Sequence, residues 1–222
     1  MSECAKQASA RGAQTQARRS LTRNCVNVLN GRNANAGRRP RAVESFFGFI
    51  RRLISGFDDS GLDYAFTGAL ATSFYGLPRT TTDIDVIVAV SGEGDVTGKV
   101  AGALRQADLE VDLRKIDMAL ESGYRIASFN DKASPYTLDV IFVDSLRKNA
   151  GIVAGLSTFF QAPDDLVLAK LRMVKATKPR SRAVKDEEDV KAILEFTEVD
   201  LEAVKARAER EGTLAILEEL IA

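Results

Sequence analysis

The spacing of apolar residues predicts alternating helices and strands in the first part of the chain. In VESFFGFIRRLISGF, apolar side chains recur at steps of three and four residues from Val43 to Phe57, which is typical of an amphipathic helix. LDYAFTG predicts a short strand that ends at Gly68. ALATSFYG predicts a short helix that ends at Gly76, because Pro78 cannot continue it. The unbroken Val and Ile run of TDIDVIVAV predicts a strand that is buried on both faces.

The second part of the chain predicts two more strands and then helices alone. TGKVAGALRQADL predicts a helix, and YRIASF and TLDVIFV predict two strands joined by the turn NDKASPY. Helices are predicted over 163–177, 184–197 and 199–221. The expected fold class is therefore α/β (α+β), with a small mixed sheet flanked by helices. We expect a core over residues 42–160 and a helical portion over 161–222 that closes a cleft.

Composition places this fold in a soluble protein. The chain has 222 residues, of which 45% are hydrophobic and 28% are charged, and this balance is typical of globular proteins with a real core. Its apolar runs fall short of the roughly 18 residues needed to span a bilayer, so we expect a cytoplasmic protein without a membrane partner. The two cysteines, Cys4 and Cys25, indicate neither a disulfide scaffold nor a zinc site.

The net charge of zero hides a strongly basic N-terminal segment. Residues 1–41 hold nine Lys or Arg residues and one acid, Glu3, which leaves 22 basic and 30 acidic residues in the rest of the chain. This composition predicts a disordered basic tail. The tail is an extension without function, an arm that attracts nucleic acid, or a transit-like leader, and the first alternative is favoured.

The absence of histidine restricts the chemistry that the chain can perform. Without histidine, the chain cannot form Ser-His-Asp or Cys-His catalytic sites or histidine metal sites. Catalysis must then depend on carboxylates, Lys or Arg, hydroxyl groups, the backbone and a hard cation.

Two aspartates at the head of the TDIDVIVAV strand are the first candidates for such chemistry. Asp83 and Asp85 alternate with Ile84, so both project from one face of the strand and repel each other when ionised. Asp139 lies in the later strand TLDVIFV. If the two strands are neighbours, the three carboxylates form a site for one or two Mg²⁺ ions, as used in phosphoryl transfer.

A glycine turn upstream of these aspartates is a candidate phosphate site. Gly68 lies where a strand is expected to meet a helix, and exposed backbone N–H groups at such a turn attract anions. The hydroxyl of Thr67 is a further candidate contact.

These motifs together resemble the nucleotidyltransferase superfamily related to DNA polymerase beta. Gly68-Ala69 is followed by thirteen residues, then by Asp83-Ile84-Asp85, and later by Asp139. The family usually has Gly or Ser where this chain has Ala69, so a serine hydroxyl contact to phosphate is lost.

Within this superfamily, the chain looks most like prokaryotic stand-alone toxins of the AbiE type. Their Arg-x-Thr-x-Asp-hydrophobic-Asp pattern and two later basic motifs are matched over roughly residues 45–195. The matching residues are Arg79, Thr81, Asp83, Asp85, Lys170, Lys185, Asp186 and Asp189.

The resemblance implies the nucleotidyltransferase fold and transfer of NMP from an NTP to an acceptor hydroxyl, with release of pyrophosphate. It implies that Asp83 and Asp85 bind Mg²⁺, that Asp139 completes the metal site or deprotonates the acceptor, and that Lys170 contacts the triphosphate. It places Asp186 near the acceptor or the nucleotide. The implied acceptor is tRNA or a protein, and a cognate antitoxin is an expected partner.

Several alternatives remain open at this stage. Arg79 either anchors phosphate or pairs with an aspartate. Five basic residues between positions 175 and 185 either bind RNA or lie on a solvated loop, and the second alternative is slightly favoured. They are Lys175, Lys178, Arg180, Arg182 and Lys185. The protein is an active enzyme, an enzyme for a small-molecule acceptor such as an aminoglycoside, or a degenerate module that binds a nucleotide or protein without catalysis.

Overall fold

A computed structural model describes residues 45–90 and 94–222, which form one six-stranded mixed sheet with helices. The predicted tail at 1–41 lies outside the described residues. The strands are β1 (Tyr64–Phe66), β2 (Asp83–Ala89), β3 (Ile126–Asn130), β4 (Thr137–Val143), β5 (Lys148–Val153) and β6 (Leu156–Gln161). The helices are α1 (Phe46–Ser60), α2 (Gly68–Tyr75), α3 (Val96–Gln106), α4 (Leu113–Glu121), α5 (Pro163–Ala176), α6 (Val184–Phe196), α7 (Leu201–Glu211) and α8 (Leu214–Ile221).

The sheet has the strand order β3-β4-β2-β1-β6-β5, which places β2 near its centre. β2 pairs with β4 in parallel and with β1 in antiparallel orientation. Ile84, Val86 and Val88 of β2 are fully buried in the core that α1 and α3 help to form. Because side chains alternate along a strand, the opposite face of β2 carries Asp83, Asp85 and Ile87. This alternation places the two carboxylates together on one face.

The C-terminal helices α5 to α8 pack mainly on one another, and α2 joins them to the sheet. α2 follows β1 directly and contacts α5, α6 and β6. Thr197 follows α6 directly, and its hydroxyl donates to the backbone oxygen of Tyr75 at 2.6 Å. This hydrogen bond joins the end of α6 to the end of α2. The C-terminal helices therefore lie next to the start of β2. None of the described helices is both long and apolar enough to span a bilayer.

Most predicted elements are present, and the mixed fold with flanking helices is confirmed. The predicted helix over 199–221 is wrong as a single element, because Gly212 ends α7 with a φ of +65° and α8 begins at Leu214. Neither α4 nor the β5–β6 hairpin was predicted from the sequence. The first helix begins at Phe46, and Val43 lies outside the described residues.

Candidate active site

The two aspartate-bearing strands, β2 and β4, are neighbours, which is the condition under which the three carboxylates converge. Asp85 on β2 lies directly opposite Asp139 on the parallel strand β4, and Ser128 on β3 pairs with Asp139 on its other side. Aligned residues on neighbouring strands are about 4.8 Å apart and share a face of the sheet. The Asp85 and Asp139 carboxyl groups are therefore neighbours on the face away from Ile84 and Val86.

Asp83 lies two residues before Asp85 at the start of β2. Its register partner on β4 is Thr137, whose hydroxyl donates to Asp83 Oδ1 at 2.7 Å. The backbone N–H of Asp83 donates to the Thr81 hydroxyl at 3.2 Å, and that hydroxyl donates to the Asp83 backbone oxygen at 2.9 Å. These contacts orient Asp83 at the exposed edge of the carboxylate group.

Gly68 contacts Asp85 from the other side of the site. The N–H of Thr67 donates to the Asp85 backbone oxygen at 2.9 Å, which brings the β1–α2 turn beside β2. A Cβ atom at Gly68 would lie 1.9 Å from Asp85 Oδ2, and Gly68 has a φ of +56°. Only glycine fits both the backbone conformation and the space that Asp85 occupies.

The environment of Asp85 opposes its ionisation. Burial, and then the negative charge of Asp139 and of Asp83, raise its pKa from 3.8 to about 6, while Lys170 and Lys185 act in the opposite direction. A bound cation would offset the repulsion among the three carboxylates. The acidic group therefore has the charge and the oxygen donors that suit a hard divalent ion.

The arrangement is not a preformed metal site in the structure as it stands. Within residues 45–90 and 94–222, no three acidic or cysteine side chains form a group that could hold a metal ion. The donor chemistry and strand register of Asp83, Asp85 and Asp139 still fit Mg²⁺, which commonly takes one or two carboxylates together with substrate phosphates. The metal role of these three residues stays a prediction.

The two residues that flank Gly68 are less accessible than expected for direct phosphate contacts. The Thr67 side chain is buried, and its hydroxyl donates to Gln161 Oε1 of β6 at 2.5 Å. Ala69 is also buried and has no hydroxyl group. The hydroxyl contact expected from Thr67 is thus directed into the protein, which leaves the backbone of the turn as the candidate phosphate contact.

Lys170 lies on α5 between two acids of α6. Its ammonium group is 2.8 Å from Asp186 Oδ1 and 2.9 Å from Asp189 Oδ2, and its side chain is only 13% exposed. Burial lowers the pKa of Lys170, but the contacts of its ammonium group with the carboxylates of Asp186 and Asp189 outweigh this effect, so the net shift is upward. Lys170 is therefore a permanently charged lysine that is already ion-paired.

Arg79 pairs with an aspartate in the structure, and its role as a phosphate anchor stays a prediction. Its Nε lies 2.5 Å from Oδ1 of Asp189, and its Nη2 donates to the backbone oxygen of Lys185 at 3.1 Å. Asp189 is 1% exposed, so its carboxylate is a buried group held by two cations. Asp189 therefore joins α5 and α6 to the segment before β2. The sequence motif that contains Asp189 did not predict this contact.

The comparisons with known proteins identify the fold class. No known family profile matches the chain, and no curated protein sequence matches it. Solved structures do match, and those with a TM-score above 0.5 are of a nucleotidyltransferase. The predicted nucleotidyltransferase fold is therefore confirmed.

The particular structures include two of the antibiotic-resistance factor ANT(2'')-Ia. Its solution structure matches with a TM-score of 0.53 at 14% identity, over 78% of this chain and 95% of that one. Its crystal structure with adenylyl-2''-tobramycin matches with a TM-score of 0.51 at 13% identity, over 79% and 98%. An antigenic nucleotidyltransferase-like protein from Paracoccidioides brasiliensis is more distant, with a TM-score of 0.44 at 12% identity, over 75% and 91%. The AbiE-type relationship stays a prediction.

Proposed function

We propose that this protein is an Mg²⁺-dependent nucleotidyltransferase that transfers NMP from an NTP to an acceptor hydroxyl and releases pyrophosphate. The observation that carries the proposal is the alignment of Asp85 with Asp139 on parallel strands, with Gly68 packed against the Asp85 carboxylate. The nucleotidyltransferase fold of the chain supports the same reaction class.

In this proposal, the three carboxylates bind the metal and the acceptor. Asp83 and Asp85 hold Mg²⁺, and Asp139 completes the metal site or accepts the proton of the acceptor hydroxyl. When bound, Mg²⁺ neutralises phosphate charge and orients the triphosphate. The acceptor oxygen forms a bond to the α-phosphorus, and the bond from that phosphorus to the oxygen bridging the α- and β-phosphates breaks. The electron pair of the broken bond leaves with pyrophosphate.

The turn at Gly68 and the C-terminal helices complete the nucleotide site in this proposal. Backbone N–H groups at the start of α2 bind phosphate oxygens, as helix N-termini do. The helical portion over 161–222 closes the cleft, and Lys170 contributes positive charge near Asp85, whose pKa it lowers. Asp186 is 2.8 Å from the Lys170 ammonium group, and in this proposal it lies near the acceptor or the nucleotide.

The test is transfer of label from NTPs. Purified full-length protein is incubated with Mg²⁺, each of the four α-³²P-labelled NTPs and a cell extract, and labelled macromolecules are separated. We expect labelling with the parent and none with the Asp83→Asn/Asp85→Asn variant. Asp144→Asn is the matched control, because Asp144 lies just after β4 and its side chain is 81% exposed. Labelling by the double variant, or no NMP transfer by the parent from any NTP to either a macromolecule or a small molecule, would contradict the proposal.

For the acceptor, we propose tRNA or a protein, as the AbiE-like motifs imply, with a cognate antitoxin as a partner. Treatment of the labelled product with ribonuclease or protease distinguishes the two acceptors. Co-expression with the product of a neighbouring gene tests for an antitoxin, which would suppress labelling.

A small-molecule acceptor is the second candidate, and the structural likeness to ANT(2'')-Ia favours it. That protein has been crystallised with adenylyl-2''-tobramycin. Incubation of the parent with ATP, Mg²⁺ and tobramycin, followed by mass spectrometry, tests it directly. An adenylylated aminoglycoside would establish this acceptor, and its absence together with labelled RNA or protein would favour the first candidate.

A catalytically inactive binding module is the remaining alternative. The absence of a serine at Ala69 favours it slightly, whereas the presence of all three carboxylates disfavours it. Calorimetry with NTP and Mg²⁺ distinguishes the two, because binding without pyrophosphate release would identify a module rather than an enzyme.

A further inference from the structure

The cation expected to contact the triphosphate, Lys170, is already occupied. Its ammonium group donates to Asp186 Oδ1 at 2.8 Å and forms an ion pair with Asp189 Oδ2 at 2.9 Å. Moving Lys170 onto a phosphate would leave Asp189, which is 1% exposed, with one cation fewer. Separating a buried ion pair is costly, so Lys170 is poorly suited to be the mobile phosphate contact.

A second lysine near the site has no such restraint. Lys185 lies in the first turn of α6, beside Asp186, and its side chain is exposed. Within the described part of the chain, the Lys185 ammonium group makes no hydrogen bond or ion pair. Its positive charge also acts to lower the pKa of Asp85. Lys185 is therefore an unpaired, exposed cation on the turn of α6 that Arg79 joins to the segment before β2.

The backbone of Lys185 is held in place although its side chain is free. Arg79 Nη2 donates to the Lys185 backbone oxygen at 3.1 Å, while Arg79 Nε lies 2.5 Å from the buried Asp189. The Arg79 N–H donates to the Ser73 hydroxyl on α2 at 2.9 Å. The forked guanidinium group of Arg79 contacts the Asp189 carboxylate and the Lys185 backbone oxygen at the same time. A lysine ammonium group at this position would not reproduce both contacts.

We propose that Lys185 is the lysine that contacts the phosphates of the nucleotide, and that Arg79 and Asp189 position it. This inference rests on the proposed nucleotidyltransferase function. It assigns different tasks to the two lysines: Lys170 stays in the ion-paired network, and Lys185 meets the triphosphate. A tetra-anionic triphosphate needs basic partners beyond Mg²⁺, and an unpaired lysine can supply one without breaking a protein ion pair.

Nucleotide affinity tests the role of Lys185. Non-hydrolysable α,β-imido NTPs with Mg²⁺ are titrated into the full-length parent, Lys185→Gln and Lys191→Gln by calorimetry. Lys191 is the matched control, because it is an exposed lysine on the same helix. We expect Lys185→Gln to weaken NTP binding about tenfold, the effect of losing one charge-assisted contact, and Lys191→Gln to leave it unchanged. Nucleosides, which lack phosphate, should bind all three proteins equally.

The outcomes separate this inference from the proposed function. If the parent binds none of the NTPs, the proposed function fails and the role of Lys185 fails with it. If the parent binds but Lys185→Gln binds equally well, or if Lys191→Gln is weakened as much, only the role of Lys185 is overturned.

The positioning role of Arg79 is tested by a double-mutant cycle. Arg79→Lys keeps a positive charge beside Asp189 but loses the donor to the Lys185 backbone oxygen. We expect it to raise the KM for NTP three- to tenfold with little change in kcat, and to add little when Lys185 is already Gln. If Arg79→Lys raises the KM for NTP by the same factor in the parent and in Lys185→Gln, Arg79 does not act through Lys185. Thermal denaturation of each variant separates loss of stability from loss of positioning.

Discussion

The Asp85 carboxylate occupies the space in which any side chain at Gly68 would begin. The ideal Cβ position at Gly68 is 1.9 Å from Asp85 Oδ2 and 3.1 Å from Asp85 Cβ. The turn that is expected to bind phosphate and the strand that carries the carboxylates are therefore in direct contact. A change at Gly68 must move Asp85, although the two residues are seventeen positions apart in the sequence.

The variant Gly68→Ala should therefore abolish the proposed NMP transfer while the fold is retained. We expect NMP transfer to fall at least about 100-fold, because a displacement of about 1 Å at a catalytic group has effects of this size. The positive φ of Gly68 should also lower the free energy of unfolding by about 1 kcal/mol or more. Transfer rates and urea denaturation measure the two effects.

Gly102→Ala is the control for the substitution at Gly68. Gly102 lies within α3, and a Cβ there meets no atom within 4 Å. Alanine should stabilise this helix by about 0.5 to 1 kcal/mol and leave transfer unchanged. An active Gly68→Ala protein would show that the close packing of Gly68 on Asp85 is not required for catalysis.

Asp85→Asn should abolish transfer and at the same time stabilise the metal-free protein. Burial and the charges of Asp139 and Asp83 raise the pKa of Asp85 to about 6, so its ionised form is unfavourable in the folded protein. The shift of about two pKa units corresponds to about 3 kcal/mol at 1.36 kcal/mol per unit. Because Asp85 is partly exposed and solvent screens its charge, we expect removing it to increase the free energy of unfolding at pH 8 by about 1 to 2 kcal/mol. Chemical denaturation in EDTA measures it. A lower stability for Asp85→Asn than for Asp144→Asn would contradict this electrostatic account.

The same pKa predicts how transfer depends on pH. Protonated Asp85 cannot bind a cation, so transfer at limiting Mg²⁺ should decrease as the pH falls through about 6. Saturating Mg²⁺ should move the midpoint to lower pH, because a bound cation favours the ionised carboxyl. The free energy of unfolding of the metal-free protein depends on pH in the opposite direction. A carboxyl with a raised pKa lowers the stability of the metal-free fold as the pH rises from about 4 to 6. Rates measured from pH 5 to 8 at two Mg²⁺ concentrations check the prediction, and a midpoint insensitive to Mg²⁺ would refute it.

The sequence predicted the part of the fold that depends on local patterns. β2 was identified because Asp83, Ile84 and Asp85 alternate before an unbroken apolar run, and that alternation also located the site. The β5–β6 hairpin was not identified, because its apolar and polar residues do not alternate and Gly151 interrupts β5. Helix α4 was missed because it is short and half exposed, although Asp112 caps it and Ile116 and Ala119 are spaced as in a helix.

The contacts between distant segments could not be predicted from the sequence. Arg79 and Asp189 are separated by 110 residues, and they meet only because α6 packs beside the segment before β2. The pattern of the chain identified both residues as parts of motifs but gave no reason to pair them. The burial of the Thr67 hydroxyl against Gln161 has the same origin, since β6 was not predicted.

Asp189→Asn should be the most destabilising of the charge-removing substitutions in the C-terminal helices. Asp189 is 1% exposed and balances Lys170 at 2.9 Å and Arg79 at 2.5 Å, so its loss leaves two cations with fewer partners. We expect the free energy of unfolding to fall by about 3 kcal/mol, at the lower end of the cost of breaking a buried ion pair.

The neighbouring variant Glu188→Gln is the control for Asp189→Asn, and it should change the free energy of unfolding by less than about 1 kcal/mol. The Glu188 side chain is 65% exposed and lies 3.7 Å from Arg79, and exposed pairs contribute little. Urea denaturation of the two variants measures both values. Equal losses of stability would show that the Asp189 carboxylate does not hold the C-terminal helices to the segment before β2.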